Sequence, residues 1–523
     1  MDPQSELVQP GLAKTNSRSI WVALTNAIKN IGIWRVVLVA LALFVVFFAA
    51  MAWVQFSTPD MPDNDGFYHI RLAEIMRTQG LKPDFPWMPL TILNPREFSD
   101  HHFLFHVGLI PFTFGDLRLG AKWAAVIYAS LAFLSIWWLL RGQNVPYAWL
   151  WSLGLLAVSE AFLYRMSITR AQSLSLAVLA LGLHWMLKQR YQYLLALAFL
   201  YVWLYDAFPL LGILAVIYTL AILIIEHRLD WRPLLYTVIG TVLGLLINPY
   251  FPDNLVFVIR HMLPKLTDTT EVSVGNEWYP YTTRQLIGNS LLSLVAFLSG
   301  VLAIGLRSRR MDTRTATSLF VVVLFGFMLF QSRRFIEYFP AFALIFAALA
   351  WAPFIREVPA RTWFSWQAWR QWLPPVVVGG LVIFGTWQML PITRESVQDS
   401  KPYDLYAQAS AWLRQNTSAG ERIFQTDWDD FPRLFFYNTD NTYLIGLDPT
   451  YMQLYDPGLY DQWVSITEGE IENPSTSIWS DFGARYVISD LDHEDFISRA
   501  SEDPDMEEVY RDDQAVIFVV CQR

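Results

Sequence analysis

The run WRVVLVALALFVVFFAAMAWVQF, residues 34–56, decides the fold class. Roughly 20 apolar residues cross the hydrocarbon core of a bilayer, and this run has that length with one charge near its start. Comparable runs lie at 120–140, 146–164, 172–187, 193–207, 209–225, 234–247, 286–306, 316–330, 335–352 and 373–390. The chain is 54% hydrophobic, with a mean hydropathy of +0.30. That is too apolar for an ordinary soluble protein. The expectation is a mainly α, polytopic transmembrane bundle of about 11 spans.

Lysine and arginine set the expected orientation. With a cytosolic start, the cytosolic stretches are 1–35, 141–146, 188–191, 227–232, 307–315 and 355–372. They hold 16 Lys/Arg against 5 Asp/Glu. Arg307, Arg309, Arg310 and Arg314 are the densest cluster. An odd number of spans then places the C-terminus outside. No cleavable signal peptide is evident, because the first apolar run is long and follows a polar tail, 1–33. The expected location is the plasma (cytoplasmic) membrane.

The expected domains are that tail, a transmembrane domain 34–392 with a long first outer loop at 57–119, and an exoplasmic α/β domain 393–523. Residues 395–523 carry 26 Asp/Glu and 8 Lys/Arg, a net of −18, so the remainder is near +9. Residues 404–416 have a helical apolar stripe of Tyr406, Ala409, Trp412 and Leu413. Residues 422–425, 443–446, 486–489 and 515–520 read as strands. The acidity suits a solvated surface. Cys521 is the sole cysteine, which excludes an intrachain disulfide and argues against redox chemistry. No feature points to nucleic acid.

The polar residues with chemical potential collect at outer junctions. Asp63-Asn64-Asp65-Gly66-Phe67-Tyr68-His69-Ile70-Arg71 opens the first outer loop. Two carboxylates flanking one residue suit a divalent cation or a base; the same placement suits a helix N-cap. Asp100-His101-His102 and His106 follow, so with His69 four of the eight histidines share this loop. Imidazole and carboxylate are metal-ligand types, and interfacial histidines also simply bond backbone or headgroups. Arg165 and Arg170 sit beyond the third span, and Arg333-Arg334 before a late one. Such arginines run against the positive-inside bias. They suit bidentate phosphate binding or snorkelling to headgroups. Arg260, His261 and Lys265 read as structural. Ser273-Val274-Gly275-Asn276-Glu277-Trp278 forms a further outer loop. Asp427-Trp428-Asp429-Asp430 follows a strand of the acidic domain, as a solvated turn or a groove wall.

In order, these patches resemble the catalytic subunit of oligosaccharyltransferases, within the GT-C class of membrane glycosyltransferases. Asp65 falls at the position of that family's catalytic, metal-binding aspartate, with Asp63 beside it. Arg165-Met166-Ser167 is similar to the stretch after the third span. Glu277 with Ser273-Val274 resembles the Glu motif that contacts metal and acceptor. Arg334-Phe335 with Tyr338 resembles the donor-phosphate arginine. Trp428-Asp429 resembles the centre of the acceptor motif, and Trp278 lies beside Glu277. The resemblance implies transfer from a polyprenyl-phosphate or -pyrophosphate sugar, with Asp65, Asp63 and Glu277 catalytic. It places Arg334, Arg333, Arg165 and Arg170 on the phosphate, and Trp428, Asp429 and Trp278 on the acceptor. The acceptor is a glycan, lipid or protein side chain.

The chain also departs from the family. Thr169-Arg170-Ala171-Gln172-Ser173 lacks the acidic pair expected after the third-span arginine. The expectation divides at this point. Either Mg²⁺ or Mn²⁺ is held by Asp65 with ligands from Asp100, His101, His102 or Glu277, or the reaction is metal-independent and Arg170 supplies the charge. Asp427 and Asp430-Phe431 replace the rest of the acceptor motif, which argues against an Asn-x-Ser/Thr acceptor. A transporter or flippase of lipid-linked glycans, and a non-catalytic scaffold of GT-C type, are the alternative readings. Transporters carry ionisable groups near the bilayer midplane and repeat symmetry; here charges gather at one interface.

Overall fold

A computed structural model of the chain describes residues 17–262, 275–307, 310–355 and 369–521. Lys265, Ser273, Val274, Arg309, nearly half of the 1–33 tail and most of 355–372 lie outside the described residues.

Six described helices are long and apolar enough to cross a bilayer: Ile33–Gln55 within α1 (Ser17–Gln55), α4 (Leu117–Gly142), Pro209–Glu226, Thr283–Gly305, Thr313–Gln331 and Trp372–Gln398. Glu160–Ser167 and Gln172–Leu187 form a seventh candidate, bent by 110° at a short break. Gln192–Leu204, Arg232–Leu246 and Phe339–Trp351 are apolar but shorter. At 1.5 Å per residue, a 13-residue helix spans only about 20 Å. The 146–164 run, expected as one span, is divided. Ala148–Leu153 passes into a 3₁₀ turn at Gly154–Leu156, and Ser159 then caps a new helix by accepting the Phe162 N–H. Phe339–Trp351 is buried on every side except at Trp351, so it forms the centre of the bundle.

The first outer loop is folded. It contains α2 (Asp65–Gln79) and α3 (Phe103–Leu109). Tyr68, Phe85 and Trp87 pack against Phe431, Phe435 and Tyr443 of the C-terminal unit in one buried cluster. Trp87 Nε1 donates to the Thr439 carbonyl at 2.9 Å, and the Tyr443 N–H donates to the Trp87 carbonyl at 2.8 Å. Apolar contact and paired backbone groups together hold the C-terminal unit on this loop.

That unit has a five-stranded mixed sheet. Its strands are β1 (Arg422–Gln425), β2 (Thr442–Tyr443), β3 (Tyr486–Asp490), β4 (Met506–Arg511) and β5 (Ala515–Val520), in the order β2-β1-β3-β5-β4. β1 is parallel to both neighbours; β5 is antiparallel to β3 and β4. All six residues of β5 are buried, because both faces of the sheet are covered there. β4 was not expected from sequence. It is an edge strand whose Glu507 and Glu508 are exposed, which erases the apolar alternation.

Candidate functional site

The bend between Glu160–Ser167 and Gln172–Leu187 carries the first part of the site. Arg165 lies near the end of one helix and Arg170 in the break. Arg170 grips Asp63 with a two-pronged fork: Nε to Oδ2 at 2.7 Å and Nη2 to Oδ1 at 2.8 Å. Its Nη2 also lies 2.9 Å from Asp65 Oδ2, and its Nη1 lies 3.4 Å from Glu277 Oε2. One guanidinium thus joins three carboxylates.

Glu277 is the second hub. It sits in the 3₁₀ turn Asn276–Trp278 and accepts from Arg165 Nη1 at 2.8 Å and Arg334 Nη1 at 3.0 Å. Ser332 pins that turn, donating Oγ–H to the Glu277 carbonyl at 2.9 Å. Arg334 also donates to the Tyr205 hydroxyl at 2.6 Å and stacks on Trp278 at 4.9 Å. Arg165 makes its remaining bonds to Glu337, which is buried. Three guanidiniums therefore converge on one carboxylate. Arg333 does not join them. Its side chain donates to the Pro280 carbonyl and lies over the Tyr281 ring, bracing the loop instead.

Asp65 is the first residue of α2, and Asn64 precedes it without capping the helix. The Asn64 side chain instead reaches across to the C-terminal unit, donating to Asp429 Oδ2 at 2.7 Å. Arg433, 1% exposed, donates Nε–H to Asn64 Oδ1 at 2.7 Å and packs over the Phe67 ring. Asp63, Asp65, Glu277 and Asp429 are thus assembled from three distant stretches of chain. Trp428 lies against the Gly275 end of the Glu277 loop.

Burial raises the Asp65 carboxyl to about 7, and Asp63, Asp429 and Glu277 add to the rise; Arg170 opposes it. Burial, with Asp427 and Asp63 nearby, raises Asp429 to about 6. Burial also pushes Glu277 up, but Arg165, Arg334 and Arg170 overcome it and hold the carboxyl well below its usual range. Two neighbouring carboxyls thus titrate near neutrality beside a third that stays ionised.

No family model matches the chain, and no curated protein matches it. Solved structures do. The oligosaccharyltransferase AglB of Archaeoglobus fulgidus aligns with a TM-score of 0.62 and 14% identity, over 89% of this chain and 71% of that one. ArnT of Cupriavidus metallidurans, bound to undecaprenyl phosphate, aligns at 0.54 and 17%, over 92% and 97%. The mycobacterial arabinofuranosyltransferase AftD aligns at 0.55 and 13%, over 92% and 40%. The chain has the GT-C fold. One AglB structure holds an inhibitory peptide and a dolichol-phosphate.

Of the expected metal ligands, Glu277 shares Arg170 with Asp65, while Asp100, His101 and His102 are engaged elsewhere. Asp100 Oδ1 accepts the His102 N–H at 2.9 Å and its Oδ2 pairs with His106 Nδ1 at 2.7 Å. His101 stacks on Phe257 at 4.6 Å, and His102 packs between His69 and Tyr205. None of these is bonded to Asp65, whose nearest charge is Arg170. Among the described residues no three His, Cys, Asp or Glu side chains are grouped to hold an ion. The Arg170 guanidinium lies at the centre of the carboxylate cluster, bonded to Asp63 and within ion-pair distance of Asp65 and Glu277. The spacing of Asp100, His101 and His102 suggests ligands; in the structure Asp100 bonds His106 and the His102 backbone N–H, and the His101 and His102 rings pack on aromatic neighbours.

Sequence reasoning missed Asn64, Arg433, Tyr205 and Glu337 as parts of the site. Glu337 alone left a signal, as an acid inside an apolar run beside two arginines.

Proposed function

We propose that this protein is a glycosyltransferase that moves a sugar from a polyprenyl-phosphate or -pyrophosphate donor to an exoplasmic hydroxyl acceptor. The observation that carries the reading is the convergence of Arg165, Arg170 and Arg334 at Glu277, next to Asp65 and Asp429. Phosphate is the natural partner of converging guanidiniums. A donor phosphate takes up the Arg334 and Arg165 forks that Glu277 now shares. Those arginines then stabilise the negative charge that develops on the leaving phosphate.

Asp65 acts as general base on the acceptor hydroxyl, a role suited to a carboxyl titrating near neutrality. The acceptor oxygen forms the bond to the anomeric carbon as the C–O bond to phosphate breaks. One-step displacement inverts that carbon. Asp429 and Trp428 form the acceptor side, and Arg170 supplies the fixed positive charge that orients Asp63 and Asp65. No step requires a metal at Asp65. The N-terminus is cytosolic and the sheet-bearing unit exoplasmic, which puts all these groups in one compartment.

The test is the glycoconjugate and lipid-linked sugar profile, by mass spectrometry, of cells with and without the protein and with Asp65→Asn. A profile that is the same with and without the protein refutes the reading.

A further inference from the structure

Asn64 stands between the carboxylates Asp63 and Asp65, at the start of α2. An asparagine there ordinarily caps its helix by accepting a backbone N–H of the first turn. Asn64 makes no such bond. Its side chain is inserted instead between two residues of the C-terminal unit. Arg433 donates Nε–H to Asn64 Oδ1 at 2.7 Å. On the other side Asn64 Nδ2 donates to Asp429 Oδ2 at 2.7 Å and to the Asp429 carbonyl at 3.3 Å.

The neighbours decide which way the amide points. A guanidinium has donors only, so it faces the amide oxygen, and the NH₂ then faces Asp429. Arg433 is itself locked. It is 1% exposed, lies over the Phe67 ring at 4.4 Å, and donates Nη1–H to the Pro402 carbonyl at 2.6 Å and Nη2–H to the Lys401 carbonyl at 3.4 Å. Among the described residues its hydrogen bonds all go to uncharged oxygens. Its charge meets Asp429 through the Asn64 amide: cation, amide dipole and carboxylate lie head to tail, and bonds in such a chain polarise one another.

Asp429 is thereby held at three points. Its N–H donates to Asp427 Oδ1 at 2.8 Å, and its carbonyl and Oδ2 accept from Asn64. Oδ1 is the oxygen left over, with no protein partner among the described residues.

We propose that Asn64, locked by Arg433, is a positioning residue for the acceptor. It holds Asp429 so that Oδ1 accepts a hydrogen bond from the acceptor, while Asp65, the next residue in the chain, works on the reacting hydroxyl. The inference rests on the glycosyl-transfer reading above. Asp65 and Asp429 lie on different units, and Asn64 bonds one directly to the segment that carries the other. An acceptor seated on the C-terminal unit is thus in register with Asp65. A misplacement of about 1 Å in such a register costs on the order of 10²-fold in rate.

The test is a double-mutant cycle on the full chain in its own membranes, read as consumption of those membranes' lipid-linked sugars. Asn64→Asp is nearly isosteric. It keeps an acceptor for Arg433 but replaces the NH₂ with an oxygen that repels Asp429. Asn64→Asp and Asp429→Asn should each lower turnover roughly 10- to 10²-fold. The double variant restores a donor–acceptor pair without the carboxylate, so it should match Asp429→Asn alone within about twofold. Two effects that multiply in the double variant overturn the proposal, and so does wild-type turnover in either single variant. Tryptic cleavage at Lys401 should stay at the wild-type rate in Asn64→Asp, because Arg433 keeps its partners; faster cleavage makes Asn64 a tie between the units and overturns the positioning role. If Asn64→Asp does not fold, Asn64→Ala enters the same cycle, and failure of both to fold is again the tie. A wild type that consumes no lipid-linked sugar overturns the transferase reading and this proposal with it; every other failure strikes this proposal alone.

Discussion

Replacing Arg170 with Gln removes the cation that lies against Asp65 and favours its ionised form. The two groups are 2.9 Å apart. Coulomb's law at that separation gives roughly 1.4 kcal/mol in a dielectric of about 80 and roughly 6 kcal/mol at about 20. Arg170 and Asp65 are 19% and 22% exposed, so solvent screening draws the value towards the smaller figure. One pH unit corresponds to about 1.36 kcal/mol. The Asp65 ionisation, near 7 in the native site, should therefore rise by about one unit or more. A base works when ionised, so the rising limb of turnover against pH moves to higher pH. At pH 7 turnover falls about fivefold or more and recovers towards pH 9. Arg170→Lys keeps a charge but loses the fork on Asp63, so its shift is smaller. The assay is loss of polyprenyl-linked sugar in isolated membranes, followed by mass spectrometry from pH 5 to 9 with and without chelator. A limb that stays centred near 7 in Arg170→Gln, or turnover that disappears with chelator in the wild type, refutes the role given to Arg170.

Three further outcomes follow from the same geometry. Arg334→Lys, which cannot serve Glu277, Tyr205 and a phosphate from one planar fork, should lower turnover about 10²-fold with the helices intact by circular dichroism. Asp65→Asn should abolish turnover yet stabilise the protein at pH 8. The folded-state value near 7 lies above the unfolded 3.8, so ionising Asp65 costs stability as pH rises through that window, and the gain on removing it is about 1–2 kcal/mol after screening; equal melting temperatures at pH 8 contradict this. Arg433→Met leaves Asn64 Oδ1 and the Pro402 and Lys401 carbonyls without their donor, a loss of roughly 2–4 kcal/mol, and protease cleavage near 400 should accelerate.

Much of the fold was legible because bilayer thickness imposes long apolar runs, and 34–56 and 120–140 show them plainly. The 146–164 run misled because hydropathy does not register a helix that stops and restarts at a serine cap. Asp65, Arg165, Glu277 and Arg334, which the structure brings together, stand out in the sequence because charge near the end of an apolar run needs a reason, and the family resemblance gives them an order. Arg170 was weighed as a stand-in for a metal, and its contacts with Asp63, Asp65 and Glu277 put a guanidinium at their centre. Asp100, His101 and His102 read as ligands because spacing specifies residue types and not bonding partners. Only tertiary structure shows Asp100 engaged by His106 and by the His102 backbone. Asn64 and Arg433 were invisible because their partners lie more than 300 residues away.

The most direct test of the central claim compares lipid-linked sugars and glycoconjugates in cells carrying the wild-type protein, Arg334→Ala, Asp65→Asn, or no protein. The account predicts that the wild type consumes one polyprenyl-linked sugar and yields a matching glycoconjugate. Both variants, expressed at normal levels, should leave that donor accumulated as in cells without the protein. Consumption of the donor at the wild-type rate by Asp65→Asn and Arg334→Ala would contradict it.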